Sequence, residues 1–423
     1  MKNMMFFPSR PDGEVRIPSS KSQAHRALIC GALAGNCKIG GVDLSNDVNA
    51  TASALRSFGA VLTYDDHSRI FTVGEPCGRG ISAGTVNCGE SASTLRFFIP
   101  LAAALGCETV FTGEGRLPER PTDIYKDMLE KNGARLTYPD NGDHLPLRVC
   151  GRLTAGDYSL RGDVSSQFVT GLLLALSCCE GESRIKLTTK LESKPYADLT
   201  VDVLRRFGAN ICEGEGEYTV SGTGRLTPCD LAVEGDCSQA AFFAVAAAIG
   251  GRVTMHGLNR NTKQGDRALF DIVERFGARV MWNGGEVTVE KTDRLRASDI
   301  DAADIPDLVP ALAVMAALSE GTTRIYNAGR LRIKESDRIA TTAAMIRALG
   351  GDISETEDGL VIAGKEKLSG GAVISSNDHR IAMAAACASV GCTGPVTVDD
   401  MSCINKSYPE FINDFMSVTG GGK

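Results

Sequence analysis

Cations, acids and hydroxyls crowd a few short segments of this chain, each standing just ahead of an apolar run. Pro18-Ser19-Ser20-Lys21-Ser22-Gln23-Ala24-His25-Arg26 sets two cations among hydroxyls at the entrance to such a run. Lys21 and Arg26 could grip a phosphate or a carboxylate, with Ser22 adding a neutral donor. Alone this pattern is weak, because a Lys-Ser pair at a helix start is most often a solvated cap. Arg330-Leu331-Arg332-Ile333-Lys334-Glu335-Ser336-Asp337-Arg338 packs four cations and two acids into nine residues. A surface helix start laced with local ion pairs is an equal reading of it. Ile305-Pro306-Asp307 opens a nearly all-apolar stretch, which puts an acid at the edge of a dry wall.

Other segments add donors without deciding the chemistry. Asn87-Cys88-Gly89-Glu90-Ser91-Ala92-Ser93-Thr94-Leu95-Arg96 is a small-residue loop whose backbone N–H groups a ligand could approach closely. Arg120 stands between Pro118 and Pro121, which stiffen the loop presenting it. Ser165, Ser166 and Gln167 crowd one helix start, and Ser193 and Tyr196 flank a Lys194-Pro195 turn. Asn377-Asp378-His379-Arg380 opens another apolar stretch, and Lys406 lies in Asn405-Lys406-Ser407-Tyr408-Pro409. Each of these is more often structural than functional.

Several function classes lose support. No G-x-x-x-x-G-K-[ST] loop, Cys-x-x-Cys pair or His-Glu-x-x-His pattern occurs, so neither a Walker site nor a metal is expected. The formal charge is −7 and no basic stretch stands out, which argues against a nucleic acid or an acidic membrane as partner. The apolar runs 240–249 and 308–318 are about half the length that spans a bilayer. Most of the fourteen cysteines lie in apolar runs and read as small core residues of a reduced, cytoplasmic protein. The first residues are too short an apolar run for a signal-peptide core.

The elements that must position these segments recur. Phe58-Gly59-Ala60, Asn132-Gly133-Ala134, Phe207-Gly208-Ala209, Phe276-Gly277-Ala278 and Leu349-Gly350-Gly351 follow one another at intervals of about 70 residues. That period is too long for a solenoid, and six compact units in two groups fit the 423 residues better. Each unit reads as helix, strand, loop, helix, strand, hairpin, strand. In the second unit the helices are expected at 93–105 and 123–132 and the strands at 108–112, 135–138 and 145–150. Asp140-Asn141-Gly142 supplies the hairpin turn. Later strand pairs are expected at 210–212 with 218–221, 279–282 with 286–290, and 352–354 with 360–363. The recurring glycines suit left-handed helix C-caps. The first helix of each unit starts near Ser22, Ser91, Ser165, Ser238, Asp307 or Asn377, whose side chains can satisfy orphan N–H groups. Such N-termini attract anions, although each one singly is most often an ordinary cap.

Taken together, PSSKSQAHR, CGESASTLRF, LPERP, SSQF, SKPY, IPD, RIKESDR, NDHR and NKSYPEF resemble, in order and spacing over nearly the whole chain, the 5-enolpyruvylshikimate-3-phosphate synthases of the enolpyruvyl transferase family. The resemblance implies an α/β fold: a two-domain inside-out α/β barrel of six βαβαββ repeats, three per domain around a pseudo-threefold axis. It implies a discontinuous lower domain of 1–19 and 235–423 and an upper domain of 20–234. By motif, Lys21, Ser22, Arg26, Ser165, Ser166, Gln167, Ser193, Tyr196, Asp307 and Lys334 would hold shikimate 3-phosphate, with Arg330 as an added cation or a solvated one. Lys21, Ala92, Arg120, Gln167, Arg338, Arg380 and Lys406 would hold phosphoenolpyruvate. The implied reaction uses no cofactor and no metal, and a monomer is expected.

In that reaction the 5-hydroxyl of shikimate 3-phosphate attacks C2 of phosphoenolpyruvate while C3 gains a proton, and the tetrahedral adduct then loses phosphate. Asp307, Glu335 and Lys21 are the candidates for moving protons, their individual roles left open. Ala92 departs from the glycine usual in the family, and its methyl group should lower sensitivity to glyphosate. Two rivals remain at this point. UDP-N-acetylglucosamine enolpyruvyl transferases use a Lys-Asn pair and a loop cysteine, where this chain has Lys21-Ser22 and no cysteine in 113–121. A non-catalytic phosphometabolite-binding protein would not require Asp307 or Glu335.

Overall fold

One strand order recurs through the molecule. The structure is a computed structural model that describes residues 2–139, 142 and 144–420. Its strands form five four-stranded sheets and one three-stranded sheet. In each four-stranded sheet an outer strand runs parallel to the second, and the remaining pairings are antiparallel. Ser82–Asn87, Glu108–Thr112, Leu147–Gly151 and Ala134–Thr137 follow this order. So do Asp157–Leu160, Glu180–Leu187, Glu217–Thr223 and Asn210–Gly214. The three-stranded sheet keeps the parallel pair Gly371–Val373 with Val396–Asp400 and adds Lys2–Phe6 antiparallel.

The chain divides into two compact units, Met1–Pro18 with Gly235–Lys423, and Ser19–Glu234. Each has its own apolar core. The first crossing falls one residue earlier than the expected 1–19 segment. Ser19 belongs with the second unit because its N–H donates to Asp43 Oδ2 at 2.7 Å, while the Asp43 N–H donates to Ser19 Oγ at 2.8 Å.

Within the discontinuous unit, the Ala-rich helices Cys237–Gly250, Val309–Ala317 and His379–Ala388 pack on one another pairwise. They carry apolar side chains all round, as a helix buried on every face must. In the other unit, Ala92–Leu105 packs on Ser166–Leu176, and Lys21–Ala34 packs on Asn46–Ser57 and Lys194–Arg206. Their capping residues differ in part from expectation. Ser91 and Ser165 cap as expected, but Ser20, Asp236 and Asp378 cap where Ser22, Ser238 and Asn377 were expected. An N-cap needs extended backbone, which these residues have, whereas Asn377 sits at φ 54°. Val309–Ala317 has no side-chain cap; Asp307 lies in the 3-10 turn Pro306–Leu308 ahead of it.

The glycines of the repeat have the backbone expected of them, with φ of 84° at Gly59, 80° at Gly208 and 81° at Gly350. The second helix of the second unit is shorter than expected, a 3-10 turn Asp123–Tyr125 running into Lys126–Lys131. The hairpin turn expected at 140–142 has Asp140 and Asn141 outside the described residues.

Candidate active site

Two polar clusters form at helix entrances, one in each unit. In the discontinuous unit the centre is Arg338, the first residue of the helix Arg338–Ala348 and only 1 % exposed. Nε donates to Asp378 Oδ2 at 2.8 Å, Nη1 to Asp307 Oδ1 at 2.9 Å, and Nη2 to Glu335 Oε2 at 2.7 Å and Asp378 Oδ1 at 3.3 Å. Arg380 donates from Nη2 to the other Asp307 oxygen at 2.9 Å and to Ser238 Oγ at 3.0 Å. Asp307 is thus forked between two guanidinium groups, with Lys334 Nζ 4.0 Å away. Arg330 reaches the carbonyls of Ala302 and Ala303, tying down the turn that leads to Asp307.

These contacts set the electrostatics. Burial alone would raise the Asp307 carboxyl, but Arg380, Lys334 and Arg338 together hold it well below the usual carboxylate range. Burial would likewise raise buried Asp378, and Arg338 outweighs it. Burial lowers the Lys334 ammonium to about 8 despite Asp307 beside it, leaving a lysine that exchanges its proton close to neutral pH. With burial opposing, Asp378, Glu335 and Asp307 push the Arg338 guanidinium up, so it stays charged.

The second cluster lies along the helix Lys21–Ala34. Lys21 Nζ pairs with Asp47 Oδ2 at 2.9 Å. Arg26 donates from Nε to Thr200 Oγ1 at 2.8 Å, from Nη1 to the Ser22 carbonyl at 2.7 Å, and from Nη2 to Thr170 Oγ1 at 3.1 Å and the Tyr196 carbonyl at 2.9 Å. With five N–H groups on a guanidinium, one on Nη1 remains for a ligand. Arg26 therefore braces Ser22 and Tyr196 while keeping one hydrogen to offer a ligand. Burial lowers its pKa to about 10.

Ser165 caps Gln167, and Ser166 and Ser193 are buried beside their helix starts. Ser193 holds φ 53°, an unusual backbone for a serine, of the kind that gathers at functional sites. Gln167 donates from Nε2 to Ser93 Oγ at 2.9 Å and accepts from Arg96 Nη1 at 2.8 Å, which fixes its amide beside Ala92. Arg120 is buried just after the turn Leu117–Glu119, and Arg96 Nη2 donates to the carbonyl of the next residue, Pro121, at 3.4 Å. Lys406 ends the turn Ser402–Lys406 and is buried.

Sequence reading missed the residues that orient others. Asp378 was visible within Asn-Asp-His-Arg but ranked below its neighbours, although it aligns Arg338 from the side and caps Arg380 N–H at 3.0 Å. Arg96 stood at the end of a quoted motif. Asp47, Thr170 and Thr200 carried no local signal, because only the fold brings them to Lys21 and Arg26.

An entrance holding acids and bases among fixed cations, with hydroxyls and an oriented amide at another, suits two anionic substrates that exchange protons. Residues 7–415 match the family described as EPSP synthase (3-phosphoshikimate 1-carboxyvinyltransferase). The chain belongs to the EPSP synthase family. It is 44 % identical over 425 residues to a 3-phosphoshikimate 1-carboxyvinyltransferase of Clostridium kluyveri, covering 99 % of this chain and 98 % of that one. A Clostridium novyi protein of the same name is 43 % identical over 430 residues, with the same coverage. Among solved structures, EPSP synthase from Acinetobacter baumannii superposes with a TM-score of 0.83 at 26 % identity, covering 99 % of this chain and 98 % of that one. No described helix is long and apolar enough to cross a membrane.

Proposed function

We propose that this protein transfers the enolpyruvyl group of phosphoenolpyruvate to the 5-hydroxyl of shikimate 3-phosphate, releasing phosphate, on the route to chorismate and the aromatic amino acids. The observation that carries the reading is Asp307 held between Arg338 and Arg380 with Glu335 and Lys334 alongside. A protein that only bound phosphometabolites would have no need of acids placed among its cations.

The mechanism follows from what those contacts do when ligands arrive. The phosphate and carboxylate of phosphoenolpyruvate compete for the guanidinium hydrogens that Asp307 now accepts. As they take them over, Asp307 loses the partners that depress it and becomes a better proton acceptor for the attacking hydroxyl. The hydroxyl oxygen bonds to C2, C3 takes a proton from Glu335 or Lys21, and cations stabilise the tetrahedral adduct. Its collapse returns that proton from C3 and breaks the bond from C2 to phosphate oxygen.

In this reading Lys21, Ser22, Arg26, Ser165, Ser166, Gln167, Ser193, Tyr196, Arg330 and Lys334 serve shikimate 3-phosphate. Lys21, Ala92, Arg120, Gln167, Arg338, Arg380 and Lys406 serve phosphoenolpyruvate. The recurrent strand order supports six βαβαββ repeats in two inside-out barrels with pseudo-threefold axes. A cytoplasmic monomer fits this reading.

A phosphate-release assay with single omissions tests it. Release should require both substrates and fall to background without either one. Turnover with UDP-N-acetylglucosamine in place of shikimate 3-phosphate, or none with both substrates, overturns it.

A further inference from the structure

A buried chain of hydroxyls joins the helix that begins at Lys21 to the helix entrance at Ala92. His25 lies one turn beyond Lys21 on the helix Lys21–Ala34, and Thr51 one turn beyond Asp47 on Asn46–Ser57. The Lys21–Asp47 ion pair and the His25 Nδ1 to Thr51 Oγ1 contact, 2.7 Å, are therefore successive rungs of one helix–helix seam. Thr51 Oγ1 meets Thr94 Oγ1 at 2.7 Å, and Thr94 Oγ1 donates to Ser91 Oγ at 2.8 Å. Ser91 also caps the helix Ala92–Leu105 by accepting the Thr94 N–H at 3.2 Å. Thr51, Thr94 and Ser91 are fully buried and His25 is 1 % exposed, so bulk solvent does not reach these bonds.

The chain can run in only one direction. A hydroxyl has one hydrogen to give, and Thr94 gives its own to Ser91. Thr51 must then donate to Thr94, and His25 Nδ1 must donate to Thr51. His25 accordingly carries its hydrogen on Nδ1. Such a polarised series, sealed from bulk solvent, strengthens each member and fixes the geometry at both ends. One end is His25, one turn along the helix from Lys21; the other is the helix start that carries Ala92, next to Ser93, which accepts from Gln167.

We propose that Thr94 and Thr51 are positioning residues for phosphoenolpyruvate: through them the His25-to-Ser91 chain holds the Ala92 entrance against Lys21. This rests on the function proposed above, in which Lys21, Ala92 and Gln167 meet that substrate.

Thr94→Val keeps the side-chain shape and deletes the links. In a folded variant the KM for phosphoenolpyruvate should rise about tenfold, with the KM for shikimate 3-phosphate changing less than about twofold and kcat less than about threefold. Thr94→Ser should restore the wild-type value, and Thr51→Val should reproduce the defect from the far end of the chain. An unchanged KM for phosphoenolpyruvate, or equal rises for both substrates, overturns the proposal. Nitrogen-15 spectra of the imidazole give a readout independent of activity. Wild-type His25 should be the Nδ1–H tautomer and Thr51→Val should shift it; an Nε2–H tautomer in the wild type also overturns it. If Thr94→Val does not fold, Thr51→Val and these spectra decide. A wild-type protein inactive with both substrates removes the functional reading instead and leaves the tautomer result standing.

Discussion

At the scale of single residues, Lys334 turns burial into a dependence on pH. Its ammonium is lowered to about 8 in the ligand-free protein, and an incoming phosphate must raise it again by favouring the charged form. Binding of shikimate 3-phosphate should therefore take up a proton near and above pH 8. Affinity should fall as pH rises past 8, by up to about tenfold per unit until the bound-state value is reached. Calorimetry in buffers of different ionisation heat measures the uptake, and Lys334→Arg should remove it, since a guanidinium stays charged throughout. Ala92 leads to a second expectation at this scale. It is 6 % exposed at the first position of its helix, so its methyl group faces a crowded entrance. Ala92→Gly should increase inhibition by glyphosate at least about tenfold while the KM for phosphoenolpyruvate moves much less, checked by inhibition curves at fixed substrate.

At the scale of elements, the sheets and buried helices meet where only glycine fits. A Cβ on Gly364 would lie 1.6 Å from the Ser319 carbonyl oxygen, and one on Gly222 would lie 1.9 Å from that of Cys179. Both carbonyls follow the C-terminus of a buried helix, Val309–Ala317 or Ser166–Leu176. Gly364→Ala should lower stability by about 3 kcal/mol or more, because backbone rather than a flexible side chain must give way. Denaturant unfolding followed by circular dichroism checks this. Neither position stood out in the sequence. The glycines that did were the periodic C-caps, whose requirement is local backbone geometry and shows in the chain itself. Packing against the end of a helix about 45 residues earlier leaves no mark in the residues beside Gly364. The capping residues divide the same way: Ser91 and Ser165 were legible, while Asp236 and Asp378 lie beside more conspicuous neighbours. Periodicity places an element reliably but leaves its first residue open by one or two positions.

At the scale of the whole molecule, the two units differ in where they store charge. Asp307 and Asp378 both lie in the discontinuous unit and both are held below the ordinary carboxylate range. A depressed acid contributes stability above its unfolded pKa of about 4 and loses it as pH falls through the folded value. That unit should therefore unfold first on acidification below about pH 4, seen as loss of fluorescence from its single tryptophan, Trp282. Protonating Asp378 would leave the Arg338 charge buried without the carboxylate that accepts two of its hydrogen bonds, a change that typically costs about 3–5 kcal/mol. The division into two units is the part of the architecture that composition alone could not place. Length and period indicated two groups of three, but nothing in residues 1–18 marks them as belonging with residues more than 200 positions away. Only the motif resemblance suggested that return, and the contacts of Ser19 with Asp43 put the crossing one residue earlier.

The return has a consequence for synthesis. Strand Asp12–Arg16 finds its parallel neighbour in Arg252–His256, and Lys2–Phe6 finds its antiparallel one in Val396–Asp400. Asp12–Arg16 must therefore wait, unpaired, until residue 256 has been translated, and Lys2–Phe6 until residue 400 has. The interrupted lobe is completed last, while residues 19–234 already hold every strand of their own sheets and can mature during translation.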